Sequence, residues 1–369
     1  MIDQLIQSGC IQVGNFTLKN GEVSKYYFDI RKLISYPKLL AKVGDALYLL
    51  MGDFDIICGI PYGALPLATY ISVTYNKPMI YVRDKQKEYG MKNLIEGNYE
   101  KTDRCVLLDD VITSGASIQR VYDIIKEEVN VVKSIVVLDR QQEKHCKIHV
   151  DCLLNKTDVI QYRLYDIQKN KNSKLCFAAD LVDDLPRLWS ILAEIGKRLV
   201  ICKIHMDIVP VKYRDEFKAK IMEMSIQYDF LVMEDRKFND ISQIVQKQYK
   251  QFENWVDMVT VHSLVAPEVI QLLSGAVIVA NMSNNTYDFS TEALAMAIKH
   301  KRNVIGFVSQ KRIQNTYDFI TMTPGITTKK DETNYSDADQ KYRSMNEVDT
   351  DIFIVGRSIY NSTKQNDGK

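Results

Sequence analysis

From about residue 175 onward the chain repeats one pattern. A short apolar run ends on a polar or charged residue, and a longer stretch with apolar positions three and four apart follows. The apolar runs are Leu175–Asp180, Leu199–Ile208, Phe230–Asp235, Asp257–His262, Ala276–Asn281, Asn303–Ser309, Phe319–Gly325 and Asp351–Arg357. Helical spacing fills the gaps, as in Leu185–Lys197, Val211–Tyr228 and Thr291–Lys301. Eight buried strands alternating with helices predict an α/β fold of the closed (β/α)8 kind, a TIM barrel. Asp180, Lys203, His205, Asp235, His262, Ser309 and Arg357 fall at the ends of these strands. In such barrels those ends build the active site.

The first part of the chain has a different rhythm. A short helix precedes two strand-like pieces, FTLKNG and KYYFDIR, and a helix from Pro37 to Leu50. Buried runs DIICGI, PMIYVR, RCVLLDD and VVKSIVVLD then alternate with helices, which predicts an open parallel sheet. The polar stretch Gln168–Lys174 follows a helix-like segment that starts near Lys156. The expected domains are therefore 1–155 and 172–369, with a short connection.

Composition narrows the class. The 369 residues carry a net charge of +1, with 46% apolar and 26% charged residues, as in a globular enzyme. That balance offers no footprint for nucleic acid or an anionic membrane. No apolar run approaches the ~18 residues of a membrane span, and MIDQLIQSG does not read as a signal peptide. Seven scattered cysteines do not form a disulfide framework, so a reducing, cytoplasmic setting is expected. His145, Cys146, His149 and Cys152 could each bind zinc. Strand-like alternation there sends His149 and Cys152 to opposite faces, however, and zinc sites separate two ligand pairs by a dozen or more residues. No metal site is expected from them.

Two runs carry chemistry. In Cys105–Ser117, CVLLDDVITSGAS, an apolar strand ends in Asp109 and Asp110 and leads through Thr113, Ser114, Gly115 and Ala116 into a helix near Ser117. Small residues let backbone N–H groups close on a phosphate, and adjacent carboxylates suit the vicinal hydroxyls of a ribose. Taken alone, the run is equally a strand, a turn and a capped helix. In EDRKFNDI, Glu234–Ile241, the charges Asp235, Lys237 and Asp240 crowd the end of a buried strand, where ordinary solvated charge is not expected.

The first run closely resembles the 5-phosphoribosyl diphosphate (PRPP) signature of type I phosphoribosyltransferases. More of the domain is similar to orotate phosphoribosyltransferases: FTLKNGEVSKYYFDIR (Phe16–Arg31), CGIPYGALPLA (Cys58–Ala68) and VLDRQ (Val137–Gln141). The resemblance implies that Lys19 meets pyrophosphate, that Tyr27 and Phe28 flank orotate, and that Arg140 contacts its ring. Cys58–Ala68 would be the pyrophosphate loop, and Asp109, Asp110 and Thr113–Ser117 would bind PRPP with Mg²⁺. The family's mobile loop starts Arg-Lys-Glu-x-Lys. Here it is Arg83-Asp84-Lys85-Gln86-Lys87, with an acid where the first lysine stands. Arg83 and Lys87 keep their places, Lys87 as a catalytic residue, and Lys85 stands one position from the displaced lysine.

The second run strongly resembles the Asp-x-Lys-x-x-Asp signature of orotidine 5′-phosphate decarboxylases. Lys203 with His205, Asp180, Met282–Asn284, Thr323–Gly325, Gln340–Arg343 and Val355–Ile359 match further elements in order. The resemblance implies a catalytic tetrad of Lys203, Asp235, Lys237 and Asp240, the last reaching a partner subunit's site together with Ile241. Asp180 and Lys203 would bind ribose, Ser283 the pyrimidine edge, and Gln340, Tyr342 and Arg357 the phosphate. No cofactor is implied for this step. Ser242-Gln243-Ile244 and Asn281 depart from the family, and the chain stops soon after the eighth strand, leaving no room for a full last helix.

Together the two resemblances imply one chain that makes orotidine 5′-phosphate from orotate and PRPP and decarboxylates it to UMP, as a homodimer. The other reading is a regulatory protein that binds PRPP and UMP and has lost one or both activities.

Overall fold

The computed structural model describes residues 1–18, 21–83, 94–282, 287–327 and 342–364, the last four by backbone alone. Lys19, Asp84, Lys85, Lys87, Ser283 and Gln340 lie outside the described residues. The chain forms two compact units, one of Met1–Val13 with Tyr26–Lys156 and one of Gly14–Lys25 with Thr157–Lys369.

The first unit opens with α1 (Ile2–Gln7) and shares a hairpin, β1 (Ile11–Thr17) and β2 (Val23–Phe28), with the second. Then follow α2 (Pro37–Met51), β3 (Ile56–Gly59), α3 (Leu65–Tyr75), β4 (Met79–Val82), β5 (Ile95–Glu96), β6 (Arg104–Ile112), α4 (Ala116–Ile125), β7 (Asn130–Asp139) and β8 (Asp151–Asn155). The sheet order is β5-β4-β3-β6-β7-β8. Its central strands read as near-continuous apolar runs because helices cover both faces of a parallel sheet. Ile56–Cys58 and Cys105–Leu108 are accordingly buried. The expectation of a wholly parallel sheet needs one correction: β5 runs antiparallel to β4. Two residues suffice for that return, and an Arg83–Glu96 ion pair of 2.9 Å accompanies it. Strand order reverses between β3 and β6, and ligands of open α/β sheets bind outside the strand ends at such a point.

The second unit is a closed barrel. After α5 (Lys156–Lys171) come β9 (Leu175–Ala178), α6 (Leu185–Ile195), β10 (Leu199–Ile204), α7 (Arg214–Tyr228), β11 (Leu231–Phe238), α8 (Ser242–Tyr249), β12 (Met258–His262), α9 (Pro267–Gln271), β13 (Ala276–Val279), α10 (Ser290–Lys299), β14 (Val304–Val308), β15 (Ile320–Thr323), β16 (Ile326–Thr327), β17 (Arg343–Ser344), β18 (Ile352–Val355) and α11 (Arg357–Lys364). β9 to β15 and β18 close the barrel in sequence order, and β16 pairs separately with β17. All eight apolar runs of the sequence supply its strands. Most strands are shorter than the apolar runs; β10 stops at Ile204, so His205 and Asp207 lie beyond it, whereas β11 continues past its run through Lys237 to Phe238.

Helix α5 crosses the N-terminal mouth of this barrel. Lys171 Nζ donates to the carbonyls of Gly196, Leu199 and Tyr228 at 3.1, 2.7 and 2.6 Å, and Arg163 pairs with Asp229 at 2.6 Å. Gln161 and Tyr165 donate to the Asp318 carbonyl. Each partner precedes or starts a barrel strand, so this end is closed and the opposite end is left for chemistry.

Candidate active sites

In the first unit, β6 delivers Asp109 and Asp110 to the strand end at the switch point. Asp109 is buried, and burial followed by the neighbouring Asp110 pushes its pKa up to about 8. The Asp110 N–H donates to Asp109 Oδ1 at 2.8 Å, and the Val111 N–H to Asp110 Oδ1 at 2.8 Å. Each carboxylate is thereby anchored by the backbone of the next residue.

The loop after β3 comes up against the same place. A Cβ on Gly63 would stand 2.1 Å from Asp110 Oδ2, so any other residue there would displace the Asp110 carboxylate. After Asp110, Thr113 and Ser114 make the turn, and Gly115 takes φ +79° at the N-cap of α4, a conformation that favours glycine. Ala116 and Ser117 open the helix and are exposed. Its first N–H groups are the kind of donors that bind phosphate. The Arg140 guanidinium lies 5.9 Å from the ring centroid of Phe28, which stacks at 6.1 Å on Tyr26. Thus two residues 112 positions apart in sequence, both expected at orotate, are brought together. Tyr27 is partly buried on the same strand, and Arg83 is held by Glu96.

The carboxylate pair also bears on Mg²⁺. Among the described residues no cluster of three or more His, Cys, Asp or Glu forms a metal cage. Asp109 and Asp110 alone match a cation that keeps waters and substrate phosphates as its remaining ligands.

In the second unit, a cavity of about 450 Å³ opens at the C-terminal ends of the barrel strands. Asp180, Lys203, His205, Asp235, Lys237, Tyr342 and Arg357 line it. Asp235 is the hub. Its Oδ2 lies 2.9 Å from Lys203 Nζ, 2.9 Å from Lys237 Nζ and 3.3 Å from His205 Nε2. Lys203 also meets His205 at 3.0 Å and Asp180 at 3.7 Å. Burial opposes the charge of Asp235, yet Lys203, His205 and Lys237 outweigh it and hold the carboxyl well below the usual range. Burial likewise opposes the charge of Lys203, and Asp235 and Asp180 more than restore it, raising its pKa above an ordinary lysine's. Tyr342 sits beneath the Arg357 guanidinium, 5.9 Å from ring centroid to carbon.

Asp240 and Ile241 do not line this cavity. Both are exposed at the start of α8, and Asp240 Oδ1 accepts the Ile241 N–H at 2.7 Å.

The cavity also holds residues that sequence reasoning did not assign a role. The Tyr360 hydroxyl donates to the Ala178 carbonyl and accepts the Asp180 N–H at 2.7 Å, fixing the loop that carries Asp180. Asn281 accepts from Ser309 Oγ at 2.6 Å and donates to Asp288 at 2.6 Å, tying together the loops after β13 and β14. Behind Asp235, the wholly buried Glu234 accepts the Met206 N–H at 3.1 Å. Burial pushes its pKa up to about 8. Neither apolar periodicity nor motif spacing gives these three a role, although Asn281 stands out as a departure from the family pattern.

Two family profiles cover most of the chain. The profile of the orotidine 5′-phosphate decarboxylase / HUMPS family matches residues 173–367, and that of the phosphoribosyl transferase domain matches 32–166. The chain belongs to the orotidine 5′-phosphate decarboxylase family and carries a phosphoribosyltransferase domain ahead of its barrel. Over nearly its whole length it is similar to uridine 5′-monophosphate synthases. It is 28% identical to the uridine 5′-monophosphate synthase of Bos taurus, across 99% of this chain and 94% of the relative. The synthase of Naegleria gruberi is 29% identical, across 99% and 93%. The orotate phosphoribosyltransferase of Pyrococcus horikoshii is 41% identical over 147 residues, 38% of this chain and 79% of the relative. Among the described residues no helix is long and apolar enough to cross a membrane.

Proposed function

We propose that this chain catalyses the last two steps of UMP formation. It is a bifunctional enzyme: orotate and PRPP give orotidine 5′-phosphate and diphosphate, and decarboxylation then gives UMP. The observation that carries the reading is the Lys203–Asp235–Lys237 cluster, two ammonium groups 2.9 Å from one buried carboxylate oxygen.

In the first step Asp109 and Asp110 receive the ribose hydroxyls of PRPP, while the N–H groups of Thr113–Ser117 and the start of α4 hold its 5′-phosphate. Phe28, Tyr27 and Arg140 hold orotate. Asp109 and Asp110 would hold Mg²⁺ together with PRPP, and the ion would supply positive charge to the diphosphate; Arg83, Lys85, Lys87 and Lys19 add positive charge as the diphosphate departs.

In the second step Arg357, Tyr342 and Gln340 hold the phosphate, Asp180 and Lys203 the ribose, and Ser283 the pyrimidine. Binding energy from the phosphate keeps the substrate carboxylate against Asp235. Loss of CO₂ leaves an electron pair on C6, which the Lys237 ammonium stabilises and then protonates. Asp240 and Ile241 serve the neighbouring subunit of a homodimer. Their exposure outside their own cavity supports that arrangement. Seven free cysteines support a reducing, cytoplasmic setting.

Incubation with orotate, PRPP and Mg²⁺, followed by chromatography, tests the reading. UMP should appear with orotidine 5′-phosphate as intermediate. Binding of both substrates without turnover would leave a regulatory protein instead.

A further inference from the structure

Strand β11 does not pair evenly with β12. Met233 and Glu234 stand opposite Met258 and Val259, and pairing resumes with Phe238 opposite Val261. Asp235, Arg236 and Lys237 therefore face a single residue of β12, Thr260. A bulge of this kind leaves backbone groups without ladder partners and re-aims side chains. Within it Lys237 takes φ +50°, a left-handed conformation that non-glycine residues seldom adopt. Such a conformation persists only where its surroundings over-determine it.

Thr260 is that constraint. It is wholly buried, and its hydroxyl uses both of its capacities at the bulge. It accepts the Lys237 backbone N–H at 2.8 Å and donates to Asp235 Oδ1 at 2.8 Å. Asp235 Oδ2 is left to face the ammonium groups of Lys203 and Lys237. We propose that Thr260 is a positioning residue for decarboxylation, pinning the backbone of the proton donor and the carboxylate beside it with one hydroxyl. The proposal rests on reading this cluster as the decarboxylase site. The hydroxyl bonds Asp235 and the Lys237 backbone and none of the groups expected to bind phosphate and ribose, so it acts on turnover more than on affinity.

The test uses the full chain with supplied orotidine 5′-phosphate and compares Thr260→Val, Thr260→Ser and Lys237→Ala. Valine keeps the shape and removes both hydrogen bonds, one of them to a charged group. Its kcat should fall about 10–100-fold. Its KM should stay within about threefold, the signature of an interaction that matters after binding. Serine, which keeps the hydroxyl, should restore kcat to within about threefold of wild type. Wild-type turnover by Thr260→Val beside an inactive Lys237→Ala overturns the role of Thr260 alone. A loss confined to KM, or one that serine does not restore, also overturns it. An active, folded Lys237→Ala overturns the underlying site assignment instead. Should valine fail to give a cooperative melt, Thr260→Ala, which also lacks the hydroxyl, must show the same split between kcat and KM.

Discussion

Lys203 and Asp235, on neighbouring parallel strands of the barrel, face each other at 2.9 Å with side chains only 9% and 10% exposed. Either alone would be driven toward its neutral form by burial. Together, with Lys237 and His205 on the same carboxylate oxygen, each keeps the other charged. The site therefore stores fixed charges in a place from which water is largely excluded, where they act strongly on a charge that develops in the reaction.

The two chemistries should separate by mutation. Asp110→Asn is expected to block UMP formation from orotate while supplied orotidine 5′-phosphate is still decarboxylated. Lys237→Ala should do the reverse, with orotidine 5′-phosphate accumulating from orotate and PRPP. Chromatography of both reactions, beside a thermal melt of each variant, decides it.

Subunit sharing can be read from mixing. Lys237→Ala and Asp240→Ala should each lose decarboxylation alone. A mixture should recover part of it, because a mixed dimer holds one site with both residues intact. No recovery after demonstrated subunit exchange would rule out a shared site.

In the proposed transferase, Asp84 takes the place of the first lysine in the loop expected over the departing diphosphate. Replacing it with lysine restores positive charge there, so Asp84→Lys should raise the transferase kcat and leave decarboxylation unchanged. Steady-state assays of both reactions check this, and an unchanged transferase rate would count against it.

Stability should depend on pH through Glu234. Its pKa in the folded protein is about 8, well above the ordinary glutamate value of 4.5. Between those values the native state holds a proton that the unfolded chain does not, so stability falls as pH rises through this window. Glu234→Gln removes the titration and keeps an acceptor for the Met206 N–H. The wild-type melting temperature, relative to this variant, should drop between pH 5 and 9, and a constant difference would refute the assignment.

Lys25 tests a buried pair away from either site. Its ammonium is wholly buried and lies 2.5 Å from Asp257 and 2.6 Å from Ser225 Oγ. Removing one partner of such a pair costs about 3–5 kcal/mol, because the other charge stays buried. Lys25→Met should therefore lower the denaturation midpoint of the barrel markedly, and a loss under about 1 kcal/mol would mean that the pair contributes little.

Local pattern was enough to read eight barrel strands, the α/β character of the first domain, the strand, turn and helix of Cys105–Ser117, and the charged strand end. Apolar periodicity reports which face of an element is buried, and motif spacing reports which side chains leave one strand end together. Neither reports what lies opposite. Thr260 is 25 residues from Asp235, Tyr360 is 180 from Asp180, and Lys25 is 232 from Asp257. These partners meet only because closing the barrel and crossing its mouth bring distant segments within hydrogen-bond reach. Strand ends depart from the apolar runs for the same reason. β10 stops at Ile204 and β11 bulges through Lys237, because a ladder's length depends on its neighbour's register, and that register exists only once both strands are in place.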